Sequence, residues 1–185
     1  MCGYEILLNL PKHQMFSLWN KSDIKAFYKW FMAEKDNRLQ MLFDEIHRNP
    51  EFANWEPDFS PKSLKILGKW YISKVSADTN FQYPQFSKYI ISLSYDLSIY
   101  YGEVILKSLG DRQWKLNINT SVNNLSYGCM VISRVNKYNL DITPWRNIGV
   151  FTLRIKESIV EDDWLYFLYI NIMEDIKTHD NVQQQ

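Results

Sequence analysis

Apolar residues recur at helical spacing along much of this chain. From Ser22, a favoured helix cap with Asp23 in the following turn, Ile24, Phe27, Tyr28 and Phe31 come at intervals of three and four. Lys35-Asp36-Asn37 is polar enough to interrupt the helix, after which Leu39, Leu42, Phe43 and Ile46 resume the stripe. His47 and Arg48 suit a last turn, and Asn49-Pro50 stops it. A second helix is predicted from Ser60 as cap and Pro61 as first helical residue, where the missing N–H costs nothing. Phe59 and Leu64 are spaced for a hydrophobic staple, and Leu64, Leu67, Tyr71 and Val75 form the buried stripe.

A third helix is predicted from about Phe86 to Leu109, with Gly110 as its left-handed terminator. It is apolar almost all round, the mark of a central, buried helix. Two stripes break that pattern. Ser94, Ser98 and Gly102 are small and recur every four residues, so a neighbouring element is expected to approach closely. Ser92, Asp96, Tyr100, Glu103 and Lys107 share one side and make a candidate polar network or groove.

Beyond Gly110 the periodicity changes. Trp114–Thr120 alternates and Cys129–Val135 is apolar and β-branched, so both read as strands, with turn chemistry at Asn123-Asn124 and Tyr127-Gly128. Thr143-Pro144 repeats the cap-plus-proline signal, ahead of Trp145, Ile148, Phe151 and Ile155. The last helix is predicted over Glu161–Lys177, its face formed by Trp164, Leu165, Leu168, Ile172 and Ile176. Residues 4–10 form a strand or a docking segment, ended by Pro11, and the tail through Gln185 is polar. The expected fold is α+β and predominantly helical: helices around a central buried helix, with a small antiparallel sheet or hairpin. One domain is expected over residues 1–185, helical over about 22–110, β over about 112–136 and helical again over about 144–178.

The first two helices share a pattern. Ile24–Met32 and Leu64–Ile72, 40 residues apart, both read apolar-Lys-x-apolar-x-Lys-Trp-aromatic-apolar. Two units fall short of a solenoid, which needs three or more. The simpler reading is that both helices dock a Trp-bearing face on one core.

Charge narrows the function classes. The 21 basic and 21 acidic residues cancel, whereas a nucleic-acid binder shows a basic excess or stripe and a membrane-surface helix a basic face. Neither partner is expected. The N-terminus lacks the charged and apolar regions of a signal peptide, the stretch Tyr89–Leu106 carries Asp96 and Glu103, and Cys2 and Cys129 are too few for a disulfide framework. The expected location is the cytoplasm, with both thiols reduced. Seven Trp, twelve Tyr and ten Phe make a high aromatic share; most are expected in the core, and some can anchor a partner.

No phosphate-cradling glycine loop, zinc-binding helix or nucleophile elbow occurs. His13, His47 and His179 fit no metal-ligand spacing, so no metal, no cofactor and no catalytic residue is assigned. Asp96 and Glu103 are the acids of most interest. They lie about 10 Å apart along a helix axis, a separation open to paired acid–base work in a groove. The structural alternative pairs Glu103 with Lys107 one turn on and gives Asp96 a loop or a Trp N–H.

Several segments resemble a group of small bacterial proteins: the helix around Lys29-Trp30-Phe31, the run Asp58–Leu64, the run Ser94–Glu103, Trp114 and Pro144-Trp145, together spanning about residues 22–155. Such proteins are similar to immunity proteins of toxin–immunity systems of the contact-dependent growth inhibition type. The resemblance implies a stoichiometric inhibitor of a cognate protein toxin rather than an enzyme. It carries over no site residue. Its neutral charge departs from the acidic bias of nuclease inhibitors and leaves the toxin's class open. The partner-binding candidates are Glu161, Asp162, Asp163, Glu174 and Asp175, suited to a basic cleft. Other readings are an enzyme using Asp96 and Glu103, and a regulatory scaffold on the two Trp helices.

Overall fold

A computed structural model of the chain describes residue 4 and residues 19–79, 86–118, 120–121, 123–134 and 141–182, with side chains described as far as residue 179. Among the described residues run α1 (Lys21–His47), α2 (Ser63–Ser76), α3 (Lys88–Leu109), β1 (Arg112–Leu116), β2 (Met130–Arg134), α4 (Pro144–Lys156) and α5 (Trp164–Val182), with a 3₁₀ turn at Pro50–Phe52. The fold is α+β and predominantly helical, its small sheet antiparallel.

α3 is the axis of the molecule. Residues 92–102 are buried on every side, against α1, α2, α4 and β1. Gly110 terminates it at φ 69°, its N–H bonding Leu106 O at 3.0 Å, a conformation that glycine adopts without Cβ strain. At Gly102 the small-residue stripe receives a side chain. A Cβ on Gly102 would lie 2.3–2.4 Å from the Trp114 ring, so glycine there is what lets β1 lay its indole on α3. β1 and β2 pair with Arg112 opposite Arg134 and Trp114 opposite Ile132. Gly128, at φ 76°, closes the connection by donating to Asn117 O at 2.7 Å. An isolated bridge from Ile132 to Ile142 then sets the start of α4 beside β2.

Several boundaries differ from those the pattern predicts. α1 starts at Lys21, and its cap is Asn20, whose Oδ1 accepts from Asp23 N at 2.9 Å. Nothing interrupts it at Lys35–Asn37. α2 proper begins at Ser63 because Ser60 and Pro61 form a tighter preceding turn, with Ser60 Oγ accepting from Ser63 N. Phe59 stacks on Tyr100 with ring centroids 4.8 Å apart. Thr143 stands at the α4 cap position, but its hydroxyl bonds Ser126 Oγ rather than the helix backbone. α5 begins at Trp164, so Glu161–Asp163 precede it. The two similar Trp helices dock differently: Trp70 is fully buried, while Trp30 is half-buried and stacks on Phe27. Of the expected 4–10 segment only Tyr4 is described; the rest, with Cys2, His13 and the loop at 80–85, lies outside the described residues.

One apolar cluster joins α1, α2, α3, β2, α4 and α5, with Trp70, Tyr71, Tyr100, Tyr101 and Phe151 its largest fully buried side chains. Tyr71 carries its hydroxyl into that core and shares a 2.8 Å hydrogen bond with Thr152 of α4. Among the described residues no helix is long and apolar enough to cross a membrane.

Candidate functional site

Asp96 sits mid-way along α3 with 0% of its surface exposed. An isolated buried carboxylate costs far too much to keep charged, and the chain answers with Arg38 of α1. Arg38 donates from Nε to Asp96 Oδ1 at 2.8 Å and from Nη2 to Oδ2 at 2.6 Å, the two-pronged geometry that suits guanidinium to carboxylate. Arg38 is itself 3% exposed. Tyr4 completes the cluster: its hydroxyl donates to Asp96 Oδ2 and accepts from Arg38 Nη2 at 3.0 Å. Burial pushes the Asp96 carboxyl up to about 6, against the lowering effect of Arg38 and Tyr4. Burial and the Asp96 charge also hold the Tyr4 phenol protonated.

The other stripe residues do not converge with Asp96. Glu103 Oε1 accepts from Lys35 Nζ and from Trp114 Nε1, each at 2.8 Å. The predicted Glu103–Lys107 pair is therefore replaced: Lys107 Nζ donates instead to the backbone oxygen of Asp58 at 2.7 Å. The indole N–H expected near Asp96 belongs to Glu103. Lys35, read as part of a helix break, has its partner 68 residues away. Burial lowers its proton affinity, but Glu103 and Asp36 outweigh that and raise it. Tyr100 bonds Ser63 Oγ at 2.7 Å and accepts from Phe59 N–H at 3.1 Å, which pins Phe59 in its left-handed backbone at φ 53°. Burial pushes the Tyr100 phenol up to about 12. Ser92 donates to Lys88 O within its own helix.

Along the α1–α3 seam these contacts form a ladder. Tyr89 OH donates to Glu45 at 2.7 Å, Arg38 binds Asp96, and Lys35 binds Glu103. The α3 members are seven residues apart, as are Glu45 and Arg38. Sequence reasoning missed Arg38, Glu45 and Tyr89. The signal was present, since Arg38 and Glu45 continue the seven-residue spacing of Ile24 and Phe31, the buried edge of α1.

The predicted partner-binding acids fall into two groups. Asp162 and Asp163 are tied to α2, through Lys69 at 3.1 Å and Lys65 at 2.6 Å. Glu161, Glu174 and Asp175 are exposed and make no ion pair among the described residues. On α5, Phe167, Asn171, Glu174 and Thr178 recur at spacings of four, three and four and are all exposed, so they form one outward stripe. Phe167 stands 50% exposed in it. Cys129 is buried, and burial pushes its thiol up to about 11, which leaves almost no thiolate at neutral pH. His47, in the last turn of α1, donates from Nε2 to Trp55 O at 2.8 Å. Among the described residues no cluster of three or more His, Cys, Asp or Glu is placed to hold a metal ion.

No protein-family model, curated protein or solved structure matches this chain. The site's own geometry therefore carries the functional argument.

Proposed function

We propose that the chain is a stoichiometric protein-binding inhibitor, an immunity protein that neutralises a cognate bacterial toxin. The observation that supports this most directly is the use made of Asp96 and Glu103. Asp96 has no exposed surface and both its oxygens are bonded; Glu103 is shared between Lys35 and an indole. Asp96 lacks the access to a substrate that proton transfer requires, and Glu103, partly exposed, is held by Lys35 and Trp114. Bonds between helices use these groups, which favours a binding role over the acid–base reading. The outward stripe of α5 suits that role: a half-exposed aromatic ring with Glu174 two turns further along the same face, Asp175 next to it in sequence, and Glu161 ahead of the helix. Aromatic anchors surrounded by charge are favoured in interfaces, and the sign fits a basic cleft.

Co-expression with the product of the adjacent upstream reading frame tests the proposal. The expected result is a one-to-one complex on size exclusion and rescue of cells from that product. Absence of both binding and rescue removes the reading.

A further inference from the structure

Tyr4 meets the Arg38–Asp96 pair from 92 residues away in sequence. Its ring packs edge-on against Tyr89 with centroids 5.6 Å apart, and the Arg38 guanidinium lies 5.3 Å from its ring centre. Its hydroxyl donates to Asp96 and accepts from Arg38. Every group making these contacts stands on α1 or α3. Arg38 and Asp96 are already joined by two bonds of their own, so their placement does not depend on the phenol.

We propose that Tyr89, Arg38 and Asp96 form a preorganised socket for a p-hydroxyphenyl group, which the chain fills in cis with Tyr4. The chemistry of the walls selects that ligand class. Beyond the bond between them, Asp96 Oδ2 takes a second donor and Arg38 Nη2 a second acceptor, and the hydroxyl supplies both from one atom. An ammonium would face the Arg38 charge and a carboxylate would face Asp96. A cation near the ring favours a π system over an aliphatic chain of equal size. The hydroxyl must also stay neutral to donate, and burial beside a carboxylate keeps it so.

The experiment uses the full-length Tyr4→Ala variant, with p-cresol as probe and toluene as the matched ring lacking the hydroxyl. p-Cresol is expected to raise the variant's melting temperature in a saturable way, as a ligand of the folded state does. It should bind at least about ten-fold more tightly than toluene, the value of one hydrogen bond of about 1.4 kcal/mol. Wild-type protein, its socket occupied, should show no saturable shift. If Tyr4→Ala does not fold alone, refolding is run with p-cresol present, and recovery supports the socket. Equal effects of p-cresol and toluene, no effect of p-cresol on the variant, or equal binding to wild type overturns it. Tyr4→Phe gives the second measurement: it keeps the ring and should lose stability relative to wild type through the hydroxyl alone, whereas unchanged stability counts against the proposal.

Discussion

Breaking the Arg38–Asp96 pair from either end should cost similar amounts at neutral pH but respond oppositely to acid. Both groups are buried, at 3% and 0% exposure, and removal of one partner from such a pair costs about 3–5 kcal/mol. In Arg38→Met the carboxylate loses the hydrogen bond and the charge of Arg38, two of the three contributions that lower its proton affinity. Its titration, about 6 in the wild type, then moves higher, and Asp96 is neutral at or near pH 7. A carboxyl that binds its proton more tightly folded than unfolded gains stability as pH falls from the folded value toward the unfolded 3.8. Wild type gains in the same way below about 6, so the Arg38→Met deficit should shrink, by up to about 1.4 kcal/mol per pH unit, only as pH falls from the variant's higher folded value to about 6. In Asp96→Asn the stranded group is a guanidinium, which stays charged at every accessible pH, and the variant lacks the gain that wild type makes below about 6, so its deficit should grow by up to about 1.4 kcal/mol per pH unit as pH falls below that value. Urea unfolding of wild type and both variants at pH 7.5 and pH 5 reads the difference directly. Parallel deficits at the two pH values, or losses below about 1 kcal/mol for both variants, would refute the reasoning that the pair is dry and charged.

Gly102→Ala drives a methyl group into the Trp114 ring. It should destabilise by about 1–3 kcal/mol through overpacking, despite alanine's better helix propensity, and shift the tryptophan emission as the indole leaves Glu103. In wild type, the side-chain carboxyl carbon of Asp96 should titrate near 6 by NMR, and a midpoint near 4 would contradict the desolvated site. In a Cys2→Ser background, Cys129, with its thiol pushed up to about 11, should resist a thiol reagent at pH 8 until the protein is unfolded; rapid labelling of folded protein would show the thiol to be accessible. Phe167→Ala, or Glu174→Ala with Asp175→Ala, should change stability by no more than about 0.5 kcal/mol while weakening the proposed toxin complex about ten-fold or more by calorimetry; unchanged affinity counts against α5 as the binding face.

Features carried by local physics were readable from the chain. The apolar periodicity of α3, the glycine at its end and the alternation in β1 each state their structure within a few residues, and each is found, although the strand read over Trp114–Thr120 lies at Arg112–Leu116. The polar network was less legible because its partners are remote. Lys35-Asp36-Asn37 has the composition of a break, and only Glu103, on another helix, makes Lys35 a buried-seam residue. The same competition defeats the local rule for Glu103, which prefers Lys35 and an indole to the lysine one turn along. Arg38 reads as a solvated arginine until its seven-residue spacing from Phe31 is considered. At Ser60 the cap signal was correct in chemistry and early in position, since the chain takes one tighter turn before α2 settles.

The ladder on the α1–α3 seam has a consequence for alternative packings. Two greasy helical faces can slide past each other by a turn at little cost, because one leucine fills a gap much as another does. Here such a slip would leave Arg38 and Asp96 facing hydrocarbon, each then a dry, uncompensated charge. The polar rungs thus act less as glue than as a vernier: they add little to the depth of the native well and a great deal to the height of its competitors.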